Sequence, residues 1–146
     1  MKTIQSIIAV GVLSITFTSC AQDIPKEVSE SFANKYQKAK AIKWENEDNN
    51  LWEVEFKIAN IEYDASFSIN GEWLETETEI KVKELPENIK QKIASDFSDF
   101  EIEEAEKIET PKYKGFEVEI EKEETKIILV FDENGTILKN TTETQD

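Results

Sequence analysis

An α+β fold is predicted, made of two tandem repeats, each a helix plus about four antiparallel strands, with the helices on one face of an antiparallel sheet. Three observations predict it. Apolar residues four apart give way to apolar residues two apart, the change from helix to strand. The same change occurs twice along the chain. The connections are short, which favours antiparallel pairing because a parallel pair needs a long crossover. The composition permits a core. Apolar residues make up 38% and aromatics 10% of 146 residues, too many for a disordered acidic chain.

The N-terminus reads as an address. Lys2 is followed by a mostly apolar run from Ile4 to Phe17, then Thr18, Ser19 and Cys20. That run is too short and too interrupted for a membrane span, and its parts are those of a secretory signal. Phe17-Thr18-Ser19-Cys20 resembles a bacterial lipobox, although Phe17 stands where an aliphatic residue is usual. Cys20 is the only cysteine of the chain and falls where the apolar run ends, so it is the expected lipidation site. Several acyl chains, at about 0.8 kcal/mol per buried methylene, give stable anchoring. Residues 1–19 are thus a lipoprotein signal peptide, and 20–24 the lipidated cysteine and a short tether.

Each repeat, over 25–80 and 85–143, reads in the same order within one structural domain, 25–143. Ile24, Val28, Phe32 and Tyr36 share a helical face, as do Leu85, Ile89, Ile93 and Phe97. Pro25 and Pro86 suit a helix start. A first strand lies near 41–46 and again near 104–110. Trp52, Val54, Phe56 and Ile58 then alternate with Glu53, Glu55 and Lys57. Phe116, Val118 and Ile120 alternate with Glu117, Glu119 and Glu121. Both are half-buried strands, apolar inward and charged outward. Tyr63–Ile69 and Ile127–Phe131 are the next strands. Asn70-Gly71 and Asn134-Gly135 make hairpin turns, because both residues tolerate positive φ. Last strands follow near 73–80 and 136–143. The helices match at an offset of 61 residues. From Ala41 the offset reads as 64 (Ala41/Ala105, Lys43/Lys107, Glu45/Glu109), which places the three-residue difference between about 36 and 41.

The helix-plus-four-strands pattern, Lys43-Trp44, the Trp52–Phe56 strand and the two Asn-Gly hairpins resemble the PepSY-like envelope lipoproteins of Bacteroidetes-type bacteria. The fold of that family is similar to beta-lactamase inhibitory protein. The resemblance covers about 24–142. It implies a secreted or envelope binding protein, possible inhibitory activity and no catalytic residues.

Composition narrows the chemistry independently. The formal charge is −15, from 17 basic and 32 acidic residues. Every basic residue is a lysine, and histidine is absent. An acidic chain without arginine does not suit nucleic acid. The absence of histidine removes the commonest general base and metal ligand. No catalytic site and no cofactor are expected. Asp132-Glu133-Asn134-Gly135 has the look of a calcium loop but fails the EF-hand spacing. Placing Gly135 at the sixth position puts Val130 first and Thr141 last; the matching positions of the first copy are Ser66 and Glu77. No metal site is expected there. Two Asn-X-Thr sequences, at Asn134 and Asn140, carry little weight in a bacterial lipoprotein.

A partner-binding face is the remaining candidate. Glu53, Glu55, Glu117 and Glu119 point away from the core. Ile128 and Val130 break the alternation of their strand and fall among them as an apolar island. Such residues need a cover, which is a partner, the other repeat or a second copy. Trp52 and Phe116 read as core. Trp73, with Glu75, Glu77 and Glu79 on its side of the strand, reads as an exposed anchor. The expected function is that of a lipid-anchored protein of the bacterial envelope, periplasmic or outer-membrane, binding an unknown protein or peptide on its open sheet face, with inhibition of that partner as what the resemblance implies. The alternatives are a cation-binding acidic periplasmic protein and a structural subunit of an envelope complex.

Overall fold

The computed structural model describes residues 23–46 and 50–144. The expected signal segment and Cys20 lie outside the described residues. Helix α1 (Lys26–Lys35) leads into β1 (Lys40–Asn46), β2 (Leu51–Ile58), β3 (Ile61–Ser68) and β4 (Trp73–Glu79). A 3-10 turn at Val82–Glu84 leads to α2 (Glu87–Asp96). Then come β5 (Glu101–Glu109), β6 (Lys114–Lys122), β7 (Thr125–Asp132) and β8 (Ile137–Thr144). The eight strands form one antiparallel sheet in chain order.

Proline starts both helices. Pro25 and Pro86 hold φ at −54° one residue before the first helical turn, where the missing N–H costs nothing. Each helix buries a narrow stripe, Val28 and Phe32 on α1, Ile89 and Ile93 on α2. The stripes pack on alternate residues of the strands. Val28 and Phe32 meet Trp52, Val54, Phe56, Ala65 and Phe67. Ile89 and Ile93 meet Ala105, Val118, Ile120, Leu129 and Phe131. Burying each such large apolar side chain is worth about 1.5–3 kcal/mol. Both helices lie on the same face. Ala65 pairs with Thr76, and Thr78, two residues on, pairs with Lys107, which pairs with Phe116.

Cross-strand register corrects the sequence alignment of the halves. Trp44 pairs with Val54, and Ala105 pairs with Val118. Bulges interrupt Ala41/Lys43 and Ile102/Glu104. These positions match at 61 residues, not 64. The extra three residues therefore lie in the β5–β6 connection, after the first strand of each half. The misreading arose because Ala-X-Lys-X-Glu occurs in both strands and a bulge shifts its phase.

The turns differ in detail from expectation. At Asn70-Gly71 and Asn134-Gly135 only the glycines take positive φ, +79° and +82°. Gly71 N–H donates to the Ser68 carbonyl, and Ser68 N–H to that of Glu72. Asp132 does the same work in the second turn, where its Oδ1 accepts from the N–H groups of Asn134 (2.9 Å) and Thr136 (2.8 Å). Those bonds hold its carboxyl below the usual range. Its residues thus build a hairpin.

Candidate functional site

The sheet face away from the helices carries the charge. Two ladder rows cross it where the halves join. One runs Glu79, Glu106, Glu117, Val130, Lys139 across β4 to β8; the other runs Asp64, Glu77, Ile108, Gly115 across β3 to β6. Strand alternation forces all of them to one side. Ile108 is 4% and Val130 2% exposed, yet neither belongs to the clusters beneath the helices. They form an apolar floor on the open face, covered by their own acidic and basic neighbours.

Glu77, Glu106 and Glu117 converge beside that floor. One carboxylate oxygen from each lies within 4.8 Å of the others. Burial pushes Glu77 up to about 8, with the Glu106 and Glu75 charges adding to it. Burial, then Glu104 and Glu117, raises Glu106 to about 7. Glu117 is raised as well, first by burial and then by Glu75, while Lys139 and Lys126 oppose the shift. Like charges drawn partly out of water retain protons at neutral pH. Such a group can share protons, accept a cationic side chain, or give three oxygens to a divalent cation, of the roughly six to eight that calcium takes.

The residues expected from sequence are divided by the structure. Glu117 belongs to the cluster. Glu119 pairs instead with Lys126. Glu53 and Glu55 share the face but lie on β2, in an acidic recess beside the Lys43–Glu45 pair (2.6 Å). Ile128 lies between Glu119 and Thr141 on the same face and is half-buried. Val130, expected as an exposed contact, is covered. Trp73 is on the other face. A bulge at Leu74 shifts the phase of β4, so Trp73 pairs with Phe67 while Glu75 pairs with Ser66. Its ring packs against the first core with Lys35 Nζ 3.4 Å from its centre, and Nε1 donates to Thr76 Oγ1 (2.9 Å). Glu77 and Glu106 were missed. Glu77 sat in an evident acidic alternation, but only the β4–β5 register brings Glu106 to it.

The helix-bearing face has a hollow of its own. It is a hollow of about 370 Å³ with Tyr63, Thr78, Lys107 and Phe116 in its wall.

Comparisons with known proteins agree with this architecture. The family model described as beta-lactamase-inhibitor-like, PepSY-like matches residues 16–63 and 51–139. A DUF2874 family protein of Bacteroides ovatus is similar at 19% identity and a TM-score of 0.71, over 83% of this chain and 89% of that one. A BLIP-like protein of Bacteroides fragilis is 25% identical with a TM-score of 0.69, over 82% and 86%. A DUF2874 family protein of Bacteroides uniformis, 19% identical, gives 0.69 over 81% and 88%. No curated protein sequence matches.

Proposed function

Because this chain belongs to the beta-lactamase-inhibitor-like, PepSY-like family, we propose that it is a non-enzymatic binding protein of the bacterial envelope, anchored through lipidated Cys20. In this reading two tandem copies of one unit make a single domain, 25–143, whose open sheet face takes a protein or peptide partner. Inhibition of that partner is the outcome the family description suggests.

One observation carries the reading, half-buried Ile128 on an open face rimmed by the carboxylates of Glu117 and Glu119, with Ile108 and Val130 covered beneath. An apolar centre with a charged rim is the usual build of a protein interface. The acidic rim selects a lysine- or arginine-bearing partner and speeds its encounter at low salt. Crosslinking in intact cells tests it. Wild type captures a partner, Ile128→Asp captures at least about tenfold less, and Glu117→Lys slows capture and reduces its salt dependence. A chemical melt of Ile128→Asp must accompany this. A collapse of several kcal/mol would show that Ile128 is structural and sink the assignment. Mass spectrometry finding Cys20 unmodified would remove the anchor alone.

The Glu77–Glu106–Glu117 cluster favours a second reading, a cation-binding protein. Calcium that raises the melting midpoint near a definite dissociation constant supports it; a rise only at high salt is general screening.

A further inference from the structure

Each half of the sheet ends in a recess at its second hairpin, and the two recesses are opposite in charge. Lys38, Lys40 and Lys57 surround the first, beside the Ala59-Asn60 turn and half-exposed Ile42. Asp99, Glu101, Glu103, Glu121 and Glu123, with Lys122, surround the second. These are corresponding places in the two halves: 38 and 99, 40 and 101, 57 and 121, 59 and 123.

The register sharpens the contrast. Lys40 stands directly opposite Lys57, and Glu101 directly opposite Glu121. Like charges facing each other across a ladder are destabilising, so each half carries an unfavourable pair at the same place and of opposite sign. Lys57 leans on Glu62, and Lys122 on Asp99 at 3.0 Å. Among the described residues no ion pair holds Lys38, Lys40, Glu101 or Glu121. The two pairs cannot relieve each other within one chain. They are four strands apart in one sheet, about 19 Å at the usual strand spacing. That is beyond the screening length of about 8 Å in physiological salt.

We propose that these sheet ends form an interface with a second copy of this chain, the lysine recess of each copy meeting the glutamate recess of the other. One two-fold axis makes both contacts at once, because the spacing between the recesses is the same in each copy. A surface that satisfies itself in this reciprocal way is the requirement for a closed dimer. Ile42 and Ile61, each 50% exposed, lie at the lysine end and become covered. The overall negative charge opposes association, so the local complementarity makes a weak, salt-sensitive dimer.

Sedimentation equilibrium of the purified full chain tests this. Wild type associates at low salt and dissociates at least about tenfold more readily in 0.5 M salt, as screening requires. The reversed variants Lys40→Glu/Lys57→Glu and Glu101→Lys/Glu121→Lys each sediment as monomers. Mixing the two restores a dimer, since every contact again joins opposite charges. If a reversed variant does not fold, the corresponding Lys→Gln or Glu→Gln variant replaces it and must also weaken association. A monomeric wild type, reversed variants that still dimerise, or a mixture that stays monomeric overturns the proposal. So does a monomer that binds inorganic phosphate at the lysine recess, which would assign that recess to an anionic ligand.

Discussion

The two halves share a scaffold and fill it differently. The first core is aromatic. Phe32 touches Tyr36, Trp44, Phe56 and Phe67, and Phe56 stacks on Tyr63. The second is mostly aliphatic, built on Leu85, Ile89, Ile93, Val118, Ile120 and Leu129. The position of Phe32 is taken by Ile93, and that of Trp44 by Ala105. A ring fills a wide space with few side chains, so the first half depends on one hub. Branched aliphatics fill the second in smaller pieces. The pattern of apolar positions sets the fold, while the choice of residue sets how the load is shared.

The largest expected effect tests that hub. Phe32→Ala should cost about 4–5 kcal/mol, at the upper end for a buried ring, and Ile93→Ala about 2–3 kcal/mol. Chemical denaturation of both variants checks it. Equal costs would mean that the ring contacts add nothing beyond area.

The hairpin glycines give a smaller difference. A Cβ on Gly71 would stand 2.4 Å from the backbone oxygen of Glu27 on α1; one on Gly135 would meet the side-chain Nδ2 of Asn88 at 2.5 Å. A backbone cannot yield without moving the helix, whereas a side chain can rotate. Both positions also need positive φ, so each Gly→Ala change costs about 1 kcal/mol on that ground. Gly71→Ala should cost roughly a further 1–2 kcal/mol through the clash. Thermal melts reversing that order would refute the account.

A third comparison sets the carboxylate cluster at the joint against the exposed ion pairs. Glu77 and Glu106 are raised in the folded state, so the fold binds more protons than the unfolded chain between about pH 4.5 and 8. Stability they contribute at low pH is lost as pH rises through 7 to 8. Glu87, Asp96 and Asp99 are lowered by their lysines, and their contribution is lost only in acid. The melting midpoint should therefore fall from pH 5.5 to about 8.5, and Glu77→Gln should flatten that fall. A midpoint that rises over this range would show that the cluster is not protonated.

Much of the fold was legible because it is written in local periods. The Val28/Phe32 and Ile89/Ile93 stripes, the Trp52–Phe56 alternation and the Asn-Gly turns each identify an element from a few neighbouring residues. Bulges defeated the same method. One at Leu74 turned Trp73 into the first core, and those at Ala41/Lys43 and Ile102/Glu104 moved the length difference to the wrong connection. A single inserted residue reverses the face of everything beyond it, and no local pattern records that.

By itself the sequence determined the acidic, histidine-free chemistry, the two helices, the strands and which face of β2, β3, β6 and β7 is apolar. These follow from composition and from the fixed periods of helix and strand. Only the tertiary structure decided that Glu77, Glu106 and Glu117 meet, that Ile108 and Val130 floor the open face, and that Lys40/Lys57 and Glu101/Glu121 are like-charged pairs of opposite sign. Each of these depends on which residues stand opposite one another across separate strands. That register is set by all the ladders and bulges of the sheet together, not by the residues next to them in the chain.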